Sequence, residues 1–183
     1  MKKVLVLLAP GFEDIEAVSI VDILRRGGAR VTLAGLDKGP IEGSRGIKIV
    51  PDCQFDTVSS ADFDLIVLPG GQPGTSNLQK NAKVLDLLKT MHSNGKLVGA
   101  ICAAPLVLQD AGILKGKNAT CHPSVREKLH SAHYCEERVV VDGNIITSQA
   151  PGTAIEFSLK LIENLFNKER VTAVNNGVLS LKQ

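Results

Sequence analysis

Four cysteines mark the 183-residue chain, at positions 53, 102, 121 and 135, and one of them sits where a thiol can do chemistry. Leu97-Val98-Gly99-Ala100-Ile101 reads as a fully apolar strand from the middle of a parallel sheet, and residues 103–111 read as a helix that starts at once. Cys102 occupies the joint. A tight strand-to-helix turn pushes its side chain out over the sheet edge and needs small neighbours, which Ala100 and Ala104 supply. The pattern is that of a nucleophile elbow, with sulfur in place of a hydroxyl. A helix N-terminus also favours the thiolate: a pKa lowered from about 8.5 to about 6.5 raises the ionised share at neutral pH from a few per cent to roughly three quarters. The plainer alternative is a small buried hydrophobe, because free cysteine is among the most buried residue types.

A reactive thiol needs a group to manage its proton. Glu13, Asp14 and Glu16 follow the first apolar run and share a sheet edge with Cys102 if the strands are parallel; each could equally be a solvated helix cap, and residue type alone does not choose among them. Of His92, His122, His130 and His133, His122 is best placed, after a candidate strand in Thr120-Cys121-His122-Pro123. His92 lies near a helix C-terminus and reads as an exposed dipole partner. Gly70 and Gly71 directly follow the apolar run Leu65-Ile66-Val67-Leu68 and Pro69, so bare backbone N–H groups stand at the carboxyl edge of the sheet, where ligands bind in such folds, unless the pair is only a tight turn. The His130 to Cys135 cluster matches no zinc-ligand spacing, and no dinucleotide or P-loop glycine pattern occurs, so neither a metal nor a nucleotide cofactor is expected.

Apolar strands alternating with amphipathic helices place the chain in the α/β class, as a three-layer sandwich about a mainly parallel sheet. Residues 13–26 put Ile15, Val18, Val21 and Leu24 at roughly helical spacing, with acid at the start, Arg25-Arg26 at the end and Gly27-Gly28 as the stop. Strands are expected at 30–36, 47–50, 65–68, 97–101 and 119–121, with a hairpin at 139–148. Further helices are expected at 82–94, from Thr153 through Leu165, and after Lys168. Ser124 to Glu127 and Thr153 to Glu156 have the form of capping boxes. The length suits one domain over residues 1–183. Lys plus Arg number 21 against 19 Asp plus Glu, dispersed, and Trp is absent, which argues against a nucleic-acid track, a basic membrane face and base-stacking platforms. The opening apolar run ends too early for a signal peptide, no run is long enough to span a membrane, and Ser180 to Gln183 is no peroxisomal address. A cytoplasmic protein with free thiols is expected.

Several separated motifs, in order, resemble the DJ-1/ThiJ/PfpI superfamily, most closely its DJ-1 branch: A-P-G-F-E-D-I-E-A from Ala9, G-S-R-G from Gly43, L-P-G-G from Leu68, A-I-C-A-A-P from Ala100, T-C-H-P from Thr120 and T-S-Q-A-P-G-T from Thr147. The resemblance runs essentially end to end and implies a flavodoxin-like sandwich and a homodimer. By position it implies Cys102 as the nucleophilic, oxidation-sensitive cysteine, Glu16 as the carboxyl group bonded to it and His122 as the nearby histidine. It further implies Gly70, Gly71 and Ala103 around a substrate oxygen, and Arg45 beside the site at the dimer contact. The implied activity is a cofactor-free glyoxalase or deglycase acting on methylglyoxal, glyoxal or their early adducts with proteins or nucleotides. The alternative is a redox-sensing, chaperone-like protein that uses oxidation of Cys102. Ala103, where the protease branch carries histidine, argues against peptidase activity, and Gly43 and Val50 stand where some members carry additional cysteines.

Overall fold

The computed structural model describes residues 1–180; residues 181–183, the end of the C-terminal tetrapeptide read above, lie outside the described residues. Seventeen α and β elements follow one another: β1 (Lys3–Leu8), α1 (Asp14–Arg26), β2 (Arg30–Gly35), β3 (Ile41–Glu42), β4 (Lys48–Ile49), β5 (Cys53–Gln54), β6 (Leu65–Leu68), α2 (Gly74–Gln79), α3 (Ala82–Ser93), β7 (Leu97–Ile101), α4 (Pro105–Asp110), β8 (Asn118–Ala119), β9 (His133–Tyr134), β10 (Val139–Asp142), β11 (Ile145–Ser148), α5 (Ala154–Leu165) and α6 (Lys168–Val178). Seven strands form one sheet in the order β10-β11-β7-β6-β1-β2-β5. Every neighbouring pair is parallel except the β10–β11 hairpin. The chain is therefore an α/β three-layer sandwich with a mainly parallel sheet.

Both faces of the sheet are covered, which is why its central strands read as continuous apolar runs. On one face Leu5, Leu7, Ile66, Leu68, Val98 and Ala100 pack with Val84, Leu88 and Met91 of α3 and with α4. On the other Val4, Val6, Leu8, Leu65, Val67 and Ile146 pack with Ile20 and Leu24 of α1 and with Phe157, Leu161 and Ile162 of α5. No helix of the described residues is long and apolar enough to cross a membrane.

Several local expectations need correction. Ile15 and Val18, expected in the core stripe of α1, are 58% and 50% exposed; the helix instead buries Glu16, Ala17, Ile20, Ile23 and Leu24, because Glu16 is drawn inward by the Gly70 N–H. The helix after Cys102 starts at Pro105, not at 103, and is only six residues long. Residues Pro123–Lys128 form a 3-10 turn capped by the His122 ring, which accepts from the Ser124 N–H, rather than by a serine box. The Thr153 hydroxyl turns back to Ala150 and Ser148 and does not cap α5. The short, exposed strand expected at 47–50 is present as β4, reduced to Lys48–Ile49 and paired antiparallel with β3.

That hairpin is tied to α1 by a buried acid. Asp14, 2% exposed, accepts the N–H groups of Arg45 at 2.8 Å and Ile47 at 2.9 Å. Asp14→Ala strands both donors, at a cost of about 2–4 kcal/mol. A fall in the thermal midpoint, with faster amide exchange at 44–47, is the expected result; an unchanged midpoint contradicts this anchoring.

Candidate active site

Three carboxyl ends meet at one place. β1 leads into Glu13 and Glu16, β6 into Gly70 and Gly71, and β7 into Cys102, and the parallel register sets all three on the same sheet edge. Cys102 adopts φ 64°, a left-handed conformation that costs a non-glycine residue roughly 1–2 kcal/mol and that marks a strained elbow. Its backbone is held on both sides: its N–H donates to the Ser148 carbonyl at 3.0 Å, and its carbonyl accepts the His122 N–H at 2.8 Å. Gly70 is required beside it, since a Cβ there would lie 2.6 Å from the Cβ of Cys102.

The first turn of α1 orients the peptide between Gly70 and Gly71. Its carbonyl accepts the Glu13 N–H at 2.9 Å, so in the trans peptide the Gly71 N–H faces the opposite way, to the Cys102 sulfur. Gly71 sits at φ 90°, and a Cβ there would come within 2.4 Å of the Glu13 nitrogen. The Ala103 N–H likewise favours the ionised sulfur. Two backbone donors thus converge on the thiol, the arrangement suited to an oxyanion formed next to it. Gly70 takes a different part from its neighbour: its N–H is committed to Glu16 Oε2 at 2.7 Å.

Glu16 is 0% exposed, and its Oε1 has no hydrogen-bond partner of ordinary geometry among the described residues. The group in reach is the Cys102 thiol. Burial pushes the Glu16 carboxyl up to about 7, against the opposing pull of the Gly70 N–H and the thiol, and the Glu13 charge adds to the rise. The thiol is pushed up to about 12, first by burial and then by the charge of Glu16 and the bond to it, with the Gly71 and Ala103 N–H groups opposing. This overturns the expectation of a thiol depressed by its helix: the helix begins three residues later, and burial together with a carboxylate outweighs its dipole. The pair instead acts as one unit that loses its first proton near neutral pH and keeps the second well above it.

Around the sulfur lies a cleft of about 330 Å³, lined by Glu13, Arg45, Gln72, His122, Ser124 and Pro151 among others. His122 is half-buried. Its Nδ1 accepts the Ser124 N–H at 3.2 Å and lies 2.7 Å from the Ser124 hydroxyl, so in the neutral ring the hydrogen resides on Nε2. Arg45 is exposed at the cleft rim. Cys102, His122, Gly71, Ala103 and Arg45 line this cleft and the Glu16–Gly70 pair lies beside the thiol, whereas Asp14 is turned to the hairpin and His92, His130 and His133 do not line the cleft. Of the other lining residues Gln72 carries no signal in the sequence, whereas Glu13 stands among the three acids after the first strand, Ser124 in a capping-box pattern and Pro151 in the T-S-Q-A-P-G-T motif.

The remaining cysteines lie elsewhere and are unpaired. Burial pushes the Cys121 thiol up to about 11. No cluster of metal-ligating side chains occurs among the described residues.

Known proteins are similar to this chain over nearly its whole length. Protein dj-1beta of Drosophila melanogaster is 45% identical over 181 residues, covering 97% of both chains, and its crystal structure matches with a TM-score of 0.96 over 99% of both. The structure of Toxoplasma gondii DJ-1, oxidized, matches at a TM-score of 0.95 with 40% identity over 100% of each chain. Glutathione-independent glyoxalase DJR-1.2 of Caenorhabditis elegans is 40% identical over 176 residues, 94% of each chain. Residues 2–164 match the DJ-1/PfpI family, and with these relatives the chain belongs to it.

Proposed function

We propose that the protein, read as one domain over residues 1–183, is a cysteine-dependent, glutathione-independent glyoxalase or deglycase. Its substrates in this reading are methylglyoxal, glyoxal or their early adducts with proteins or nucleotides. The observation that carries the reading is the buried Glu16 carboxyl, open at Oε1, beside a strained thiol that two backbone N–H groups address. The name of the Caenorhabditis elegans relative supports it.

Glu16, with a proton affinity near neutral pH, takes the thiol proton as Cys102 Sγ bonds the aldehyde carbon. The resulting alkoxide rests on the Gly71 and Ala103 N–H groups and is protonated to the hemithioacetal. Loss of a proton from the former aldehyde carbon and gain of one at the neighbouring carbon oxidises the first by two electrons and reduces the second by two, giving a 2-hydroxyacyl thioester. Glu16 and His122 carry these protons. Water cleaves the thioester, frees the thiol and releases lactate from methylglyoxal or glycolate from glyoxal. The steps use protein groups and water alone. The test is lactate formed from methylglyoxal by the purified protein without glutathione: many equivalents per site support the reading, and at most one equivalent refutes it. Parallel assay of a glycated peptide, with free aldehyde removed by a scavenger, separates adduct turnover from turnover of released aldehyde.

The same open Oε1 favours a second reading, redox sensing in the cytoplasm with chaperone-like action, in which a protonated Glu16 donates to a Cys102 sulfinate. It gives one stoichiometric mass change under mild peroxide in place of turnover.

We infer also a homodimer built on α1. Ile15, Val18, Ile47 and Val50 are 58%, 50%, 52% and 72% exposed, an apolar set on α1 and the β3–β4 hairpin next to Arg45. Val50→Asp is expected to convert a dimer into a monomer in sedimentation at micromolar concentration; a wild-type monomer contradicts the assembly.

A further inference from the structure

Glu13 is a charged residue that the fold keeps only 8% exposed in the wall of the Cys102 cleft. Its Oε2 accepts the Glu16 N–H at 2.8 Å, and its own N–H fixes the Gly70 carbonyl at 2.9 Å. A serine or aspartate makes an ordinary helix cap. The longer glutamate does the same while holding a carboxylate three residues from Glu16.

We propose that Glu13 is a positioning residue of the site: its side-chain charge holds the shared proton on the Glu16–Cys102 pair, and its bond to the Glu16 N–H fixes the helical turn that carries Glu16. The other groups around the pair do not supply this charge. Arg45 and His122, which also line the cleft, carry no negative charge, and the Asp14 carboxylate is turned to the Arg45 and Ile47 N–H groups. Glu13 is the remaining anion, and its charge adds to the elevation of Glu16.

The proposal rests on Cys102 being the nucleophile, and its test needs no turnover, so the two fail separately. Cys102 alkylation by iodoacetamide, followed by peptide mapping, is measured against pH in wild type and in Glu13→Gln, which keeps an acceptor oxygen and loses the charge. In wild type the rate is expected to rise with pH as the pair loses its first proton. Removing the anion stabilises the deprotonated pair, so the Glu13→Gln midpoint is expected about half a pH unit or more lower. Glu13→Ala, which also loses the cap, is expected to show the same downward midpoint together with a lower thermal midpoint. A purely structural role moves only the thermal midpoint. An alkylation midpoint that stays at the wild-type value in both variants overturns the proposal, and absence of Cys102 alkylation in wild type overturns the nucleophile reading beneath it.

Discussion

Cys102→Ser is expected to lower methylglyoxal turnover by about a thousandfold or more while leaving the fold intact. The hydroxyl is a far weaker acid than the thiol, so the proton transfer that Glu16 performs on sulfur has no counterpart on oxygen near neutral pH. Serine has the same Cβ and a smaller side-chain atom, and the peptide bonds to Ser148 and His122 that hold the elbow are made by the backbone alone. Far-ultraviolet dichroism and the thermal midpoint should therefore match wild type. Cys121→Ala serves as the control: Cys121 is 0% exposed and does not line the cleft, so turnover is expected to stay within about twofold of wild type. Equal loss in both variants contradicts the assignment.

Glu16→Leu is expected to cut turnover by about 10²- to 10⁴-fold at neutral pH and to raise stability in mildly alkaline buffer. The loss follows from removing the proton acceptor of the pair. The wild-type profile of kcat/KM should rise through about pH 7, and in the variant that acid limb should be absent, with activity climbing only in the alkaline range. The gain in stability has a definite sign. A carboxyl whose value is raised on folding, from 4.5 to about 7, favours the folded state at low pH and loses that contribution as the pH rises through about 7. At pH 8 the wild-type protein therefore carries a cost of roughly 3 kcal/mol for the buried charge, which the leucine variant avoids. Turnover retained with its acid limb, or a lower melting point at pH 8 than wild type, contradicts this account of Glu16.

How much of this was legible in the sequence varies with the range of the interaction. The sheet could be read because β1, β6 and β7 are covered on both faces and so are written as continuous apolar runs. The elbow could be read because Ala100 and Ala104 bracket Cys102 and Leu97–Ile101 precedes it. The face of α1 could not, because Ile15 and Val18 have the spacing of a core stripe while a carboxylate, Glu16, faces inward in their place. That inversion depends on the Gly70 N–H, 54 residues away in the chain, which no local pattern encodes. The thiol's acidity is not legible locally for a related reason: a helix dipole is a local signal, whereas burial and the charge of Glu16 arise only once β1 and β7 lie in one sheet. The acids after β1 were visible as a group, but which of them meets sulfur, which caps the helix and which anchors the hairpin is settled by packing.

The central claim, that Cys102 forms the covalent bond to the substrate, is tested most directly by acid-quenching the protein during methylglyoxal turnover and mapping its peptides by mass. The hemithioacetal and the 2-hydroxyacyl thioester are isomers, so either adds the mass of one methylglyoxal. The account predicts that addition on the peptide carrying Cys102, rising and decaying with turnover. Lactate formation with Cys102 unmodified throughout, or the addition on Cys53, Cys121 or Cys135 instead, would contradict it.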